Sequence, residues 1–275
     1  MAWRLPLADV QLSEPVIEAA MEALRSNWLT MGPRTQSLEM DFAAALERPH
    51  AVAVSSGTAG IHLACLAAGV GEGDEVIVPA VGFVADAHAA HWCGGRTVFA
   101  DVTSEARPLL DPDAVEALIT DRTKAVLAIH MFGYPLELAG LRALCDERGI
   151  ALIEDCCESV GATFADGSPV GTAGQSGCFS FFAKTQLPVG EGGSLAERGA
   201  RAIRGRATVS RRPPSRSRPL PATIRQWPSP SRSRIAPEPA SRKSTRSRSG
   251  SVGNAPAARS GSTIRLASAG RWAAR

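Results

Sequence analysis

Lys184 closes the run Gly177-Cys178-Phe179-Ser180-Phe181-Phe182-Ala183-Lys184, and Gly190-Glu191-Gly192-Gly193 follows it closely. A lysine amine held in partly apolar surroundings can shed its proton and condense with an aldehyde. Asp155 ends a separate apolar run, Ala151-Leu152-Ile153-Glu154-Asp155. A carboxylate at the end of a buried strand can keep an aromatic ring nitrogen protonated. Upstream, the short apolar run Ala51-Val52-Ala53-Val54 gives way to Ser55-Ser56-Gly57-Thr58-Ala59-Gly60 and then to the helical pattern Ile61-His62-Leu63-Ala64-Cys65-Leu66. Small residues at such a junction let backbone N–H groups and hydroxyls approach an anion at a helix N-terminus. The chemistry on offer is therefore imine formation, ring-nitrogen protonation and phosphate binding.

Those are the handles of pyridoxal 5'-phosphate, and the order of the motifs adds to the pattern. Ser-Gly-Thr after a strand, Val78-Pro79-Ala80-Val81-Gly82-Phe83, Glu154-Asp155, Phe179-Ser180-Phe181 ahead of a lysine, and Gly-Glu-Gly-Gly occur in sequence. Over residues 10 to 195 the chain resembles the DegT/DnrJ/StrS family of pyridoxal-phosphate sugar aminotransferases. Trp28-Leu29-Thr30-Met31-Gly32-Pro33 is similar to that family's entry segment.

The resemblance implies the large domain of the fold-type-I transferases and an amino transfer from glutamate or glutamine to a nucleotide-linked keto sugar or a keto-cyclitol. It implies Lys184 as the Schiff-base lysine and Asp155 as partner of the ring nitrogen. Gly57, Thr58 and Ser180 would be phosphate donors, Phe83 would stack on the ring, and Glu158 would lie near the phenolic oxygen. Trp28, Thr30 and Gly32 would line the acceptor pocket, and two copies would form a homodimer. The chain departs from the pattern twice. Many members have one more residue between Phe-Ser-Phe and the lysine, and many carry Gln or His where Glu158 stands. A related dehydratase branch has His at the lysine position, and Lys184 argues against it.

Each residue also has an ordinary use. Lys184 could be a surface lysine, although residues 1 to 200 hold only one other, Lys124. Asp155 could cap a turn, Phe83 could belong to the core, and Gly57, Thr58 and Ser180 could be turn residues. Glu158 reads equally as a solvated acid. Glu154 is expected to face a structural partner, His130 to be a packed strand-end histidine, and Asp86 and His88 to lie on a helix surface.

The elements that must position these groups alternate. Helical patterns cover about 14–25 and 35–47, then 58–68, 83–92, a segment opened by Asp111-Pro112, and 136–148. Short apolar strands cover 51–54, 75–78, 97–100, 125–129 and 151–153. This alternation predicts an α/β fold with a mainly parallel sheet covered on both faces. Ligands collect at the carboxyl ends of such strands, where Ser56, Phe83, Asp155 and Ser180 would emerge.

The net charge of +3 averages two unlike parts. Residues 1–200 carry 12 Lys plus Arg against 26 Asp plus Glu, a net of −14, whereas residues 201–275 carry 17 Arg, 1 Lys and one acid, Glu238, a net of +17. The later part, with 14 Ser and 9 Pro, has too little apolar periodicity to offset chain entropy, and disorder is expected. The expected division is an incomplete transferase domain over 1–198 and a basic tail over 199–275. That tail is either an out-of-frame translation of a GC-rich gene, the favoured explanation, or a real basic tail able to neutralise phosphates. Nucleic acid is not an expected partner, and an inactive, truncated product remains the serious competitor. No apolar run is long enough to span a membrane, and six cysteines without metal-ligand spacing suit free thiols. A cytoplasmic enzyme without a metal is expected.

Overall fold

The structure is a computed structural model that describes residues 10–199; the expectations for the tail fall outside the described residues. Two helices open it, α1 (Glu14–Arg25) and α2 (Pro33–Ala45), each with proline in its first turn, where the missing N–H costs nothing. Then follow β1 (His50–Val54), α3 (Gly57–Ala67), β2 (Glu75–Pro79), α4 (Val84–Trp92), β3 (Arg96–Ala100), α5 (Pro112–Leu118) and β4 (Thr123–Ile129). A 3-10 turn at Met131–Gly133 leads to α6 (Ala139–Arg148), β5 (Ala151–Asp155), β6 (Ser176–Ser180) and β7 (Gly193–Glu197).

The seven strands form one sheet in the order β1-β7-β6-β5-β4-β2-β3. Pairings from β6 through β3 are parallel, and β7 runs antiparallel to both β1 and β6. Every residue of β2, β5, β6 and β7 is buried. Full burial explains why β2 and β5 read as continuous apolar runs rather than as alternating ones. The main core lies between the sheet and α3, α4 and α6 and includes Ile61, Ile77, Ala89, Leu127, Leu141 and Ile153. A smaller core around Phe42, Phe179 and Phe181, whose rings meet edge to face at 5.0 and 5.5 Å, seats α2.

Helix α1 buries nothing, and its apolar residues Val16, Ile17, Met21 and Leu24 are all exposed. At the amino end of β2, the buried carboxylate of Glu75 receives Arg96 at 2.5 Å, Arg122 at 2.7 Å and the Thr120 hydroxyl at 2.8 Å. These partners hold its pKa down to about 2, the Arg96 hydrogen bond being the largest cause. Among the described residues no helix is long and apolar enough to cross a membrane, and no disulfide joins any of the six cysteines.

Candidate active site

A cleft of about 610 Å³ opens at the carboxyl ends of β5, β6 and β2 and the start of α3. Gly57, Thr58, Phe83, Asp155, Glu158, Ser180 and Lys184 all line it. Segments more than a hundred residues apart in the chain thus meet at one opening.

The α3 end is built for close approach. Ser56 caps the helix by accepting the Ala59 N–H at 3.1 Å, and first-turn N–H groups have no carbonyl partner within the helix. A Cβ on Gly57 would lie 2.5 Å from Cys157 Sγ and 3.0 Å from Ser180 Cβ. Only glycine lets α3 sit this near to β6.

Asp155, almost fully buried, accepts the Cys157 N–H through Oδ1 at 2.9 Å. It makes the cap-like bond that its ordinary use would require, and it also faces the cleft. Burial raises its pKa, against hydrogen bonds from Cys157. Its neighbour Glu154 turns the other way and is fully committed to the fold. Glu154 accepts the N–H groups of Gly171 at 2.8 Å and Gly174 at 2.6 Å, and pairs with His130 Nε2 at 3.0 Å. Because His130 Nδ1 accepts the Leu136 N–H at 3.0 Å, its proton sits on Nε2 and is donated to Glu154. His130, Glu154 and Cys156 bring ligand-type atoms within 4.8 Å of one another, but those of His130 and Glu154 are spent on these bonds.

The expected position of Asp86 is corrected by the structure. It is 2% exposed, and neither carboxyl oxygen finds a donor of hydrogen-bonding geometry among the described residues. Third residue of α4, it points inward because α4 packs against α3 and β2. Burial, then the facing Asp155 carboxyl, pushes its pKa up to about 9. His88 does lie on the exposed side of the helix, beside Trp92.

Lys184 stands on the loop between β6 and β7 and is exposed rather than packed in apolar surroundings. The chain swings outward after the buried Phe181, leaving Phe182 40% exposed, and so carries the amine to the rim. Thr185 fixes this turn by donating to the Ser180 carbonyl at 3.0 Å. Glu158 accepts the Phe132 N–H at 3.2 Å, while its own carbonyl takes a hydrogen bond from the Gln186 amide. Phe83 caps no core; it stands 68% exposed at the start of α4 with its ring on the cleft. Trp28, Thr30 and Gly32 do not join the cleft lining. The Trp28 indole folds back to donate to the Met31 carbonyl at 3.1 Å, and it covers Gly32, where a Cβ would lie 2.4 Å from its Nε1.

Known proteins place this geometry. A GDP-perosamine synthase of Vibrio cholerae is 41% identical over 175 residues, 63% of this chain and 47% of the relative. The crystal structure of the aminotransferase TlmJ of Streptoalloteichus hindustanus superimposes with a TM-score of 0.67 at 40% identity, over 73% of this chain and 55% of that one. NtdA of Bacillus subtilis, with bound cofactor PMP, gives 0.64 at 29% identity, over 69% and 42%. The chain spans about half the length of these relatives, and the fold shared is the fold-type-I large domain expected from the sequence. The family pattern itself runs over residues 10–204, and the chain belongs to the DegT/DnrJ/EryC1/StrS aminotransferase family.

Proposed function

We propose that residues 10–199 form the pyridoxal-phosphate-binding part of an aminotransferase. It would move an amino group from glutamate or glutamine to a nucleotide-linked keto sugar or a keto-cyclitol. The observation that carries this is the convergence on one cleft of an exposed lysine, a buried carboxylate and the capped start of α3. The donor set fits the cofactor: an amine for its aldehyde, an acid for its ring nitrogen, and N–H and hydroxyl groups for its phosphate. The GDP-perosamine synthase among the relatives supports a nucleotide-linked acceptor.

When bound, the cofactor supplies an electron sink for the carbon that bears the amino group. Lys184 Nζ would hold it covalently and, once released, carry the proton to and from the reacting carbon. Asp155, ionised, would keep the ring nitrogen protonated. Ser56, Gly57, Thr58 and Ser180 would anchor the phosphate, and Phe83 would cover one ring face. Trp28, Thr30 and Gly32 would reach acceptor only with the cleft extended by further protein. The exposed stripe of α1 supports pairing of two copies, and cysteines that form no disulfide suit a reducing cytoplasm; sedimentation of the purified chain tests the pairing.

Incubation with pyridoxal phosphate, reduction with borohydride and peptide mapping test the assignment. Label on Lys184 is expected, and label on Lys124 alone would remove the function proposed. An Asp155→Asn chain should remain folded yet lose at least about tenfold in cofactor retention, the scale of a charge-assisted hydrogen bond.

The change from net −14 to net +17 near residue 200 favours a second reading: this 275-residue sequence is a truncated, catalytically inactive product of the family that retains cofactor weakly, its last 77 or so residues arising from a shifted frame. The nucleotide sequence decides it. An apolar-periodic translation in another frame after codon 195 is expected, and transamination by the chain as written, assayed with glutamate and a panel of keto sugars, would refute it.

A further inference from the structure

The mechanism above leaves one buried acid without a task. Asp86 lies beneath the cleft lining, behind Gly82, whose built Cβ would stand 3.6 Å from Asp86 Oδ2. Neither of its oxygens meets a donor of adequate geometry, yet the residue is closed off from water. A carboxylate in that state is strongly disfavoured unless a proton or a donor relieves it. The side chain it faces is Asp155. Two carboxylates in contact cannot both ionise, so the pair keeps one proton.

We propose that Asp86 is a positioning residue for Asp155: the two carboxyls share one proton, Asp86 holds it, and its O–H is donated to Asp155, whose charge is thereby aimed into the cleft.

Surroundings decide which partner holds the proton. Asp155 accepts the Cys157 N–H at 2.9 Å, which favours its charge. Asp86 has only the N–H groups at the start of α4 nearby, and none reaches hydrogen-bonding geometry among the described residues. The other titratable groups around the pair are Cys65 from α3, Cys178 from β6 and Cys157 after β5, all made harder to ionise by burial. Lys184, Glu158 and Glu191 stand across the cleft on its loops. No arginine or lysine lies among the groups acting most strongly on Asp86; on α4's side only the backbone N–H groups of Phe83 and of Asp86 itself favour its charge, and burial outweighs them. With Asp86 neutral, a single charge remains on the floor, and the hydrogen bond fixes the orientation of the carboxylate that bears it. The target of that charge, a ring nitrogen, rests on the function proposed above; the shared proton does not.

The test uses the full chain labelled with 13C at the aspartate carboxyls, free of cofactor, as wild type, Asp86→Asn and Asp86→Ala. In wild type the pair should keep one proton from pH 5 to 8, and that proton should be on Asp86. Asp86→Asn, which keeps an N–H donor, should hold no such proton. Asp86→Ala should shift Asp155 itself upward. With pyridoxal phosphate added, Asp86→Asn should bind within about threefold of wild type and Asp86→Ala about tenfold more weakly, the scale of one hydrogen bond to a charged group. Two carboxyls ionising together below pH 5 in wild type would overturn the proposal, as would equal cofactor binding by the Asn and Ala chains. Should Asp86→Ala not fold, the wild-type and Asn titrations decide alone. A pair that titrates as expected in a chain that never captures pyridoxal phosphate would uphold the shared proton and sink only the cofactor assignment.

Discussion

Glu75 and Asp86 are buried acids on either side of strand β2, and they live under opposite rules. Glu75, at the amino end, is met by two arginines and a threonine hydroxyl and is held down to about 2. Asp86, just past the carboxyl end, meets another acid and is pushed up to about 9. The same contrast recurs on β5 between adjacent residues, Glu154 with its full set of donors and Asp155 open to the cleft. Acids that serve the fold are matched by donors. Acids at the cleft are left under-matched, which is the condition a site needs if an incoming group is to supply the missing partner.

That contrast can be broken most forcefully at the cleft's rim. Lys184→Ala should abolish borohydride-fixed cofactor, a loss of at least about 100-fold in label, since it removes the group that forms the bond; mass spectrometry of the reduced chain measures it. On the matched side, Glu154→Ala strands His130 and two buried N–H groups. A loss of about 3–5 kcal/mol is expected from urea unfolding, the cost of breaking a buried charged network.

A pH series sharpens the comparison. Asp86 has a folded pKa near 9 against an ordinary value of 3.8, so between those limits the folded chain retains a proton that the unfolded chain has released. Stability is then fullest below about pH 4 and declines as pH rises through 9, by at most about 1.4 kcal/mol per pH unit for one proton. The slope should flatten in Asp86→Asn. Glu75 acts in the opposite sense: its folded value lies below 4.5, so its contribution is present above pH 4.5 and lost as pH falls through 2. Glu75→Gln should cost about 1 kcal/mol at pH 7, because its arginine partners are largely exposed and screened, and little at pH 2; thermal unfolding at both values checks it.

How much of this was legible in the sequence depended on whether local composition or distant packing decided the outcome. Strands β2, β4 and β5 show as apolar runs because parallel strands covered on both faces need such runs, and the half-covered edge strands β1 and β3 show as shorter ones. Strands β6 and β7 were visible only as motifs, since Ser176-Gly177-Cys178 and Gly193-Ser194 are small for a reason that lies elsewhere in the chain. A Cβ on Gly177 would stand 2.5 Å from the Gly171 carbonyl oxygen, and one on Gly193 would stand 2.5 Å from that of Phe179. Seven of the ten expected site residues line the cleft, because each ends a strand, opens a helix or stands within four residues of a strand's carboxyl end. Asp86 escaped, since an acid in the first turn of a helix is ordinarily a dipole partner at the surface. Only the packing of α4 against α3 and β2, with Asp155 brought up from the end of β5, puts it inside. The outward swing that exposes Lys184 was equally hidden, for Phe182 looks like core until the chain's path after Phe181 is known.

The antiparallel strand β7, lying between β1 and β6, carries a cost in time. Ser194 Oγ reaches the Val52 carbonyl at 3.4 Å across a separation of 142 residues. During synthesis β1 therefore has no neighbour to pair with until the seventh strand has emerged, and β6 must wait with one side open. Contacts of such long sequence separation form late and slowly, so two bare strand edges persist while the rest of the sheet assembles. Any interruption before Gly193 would leave them as templates for self-association, and refolding yield should depend on residues 193–197 far more than their five small, uncharged or single-charge side chains suggest.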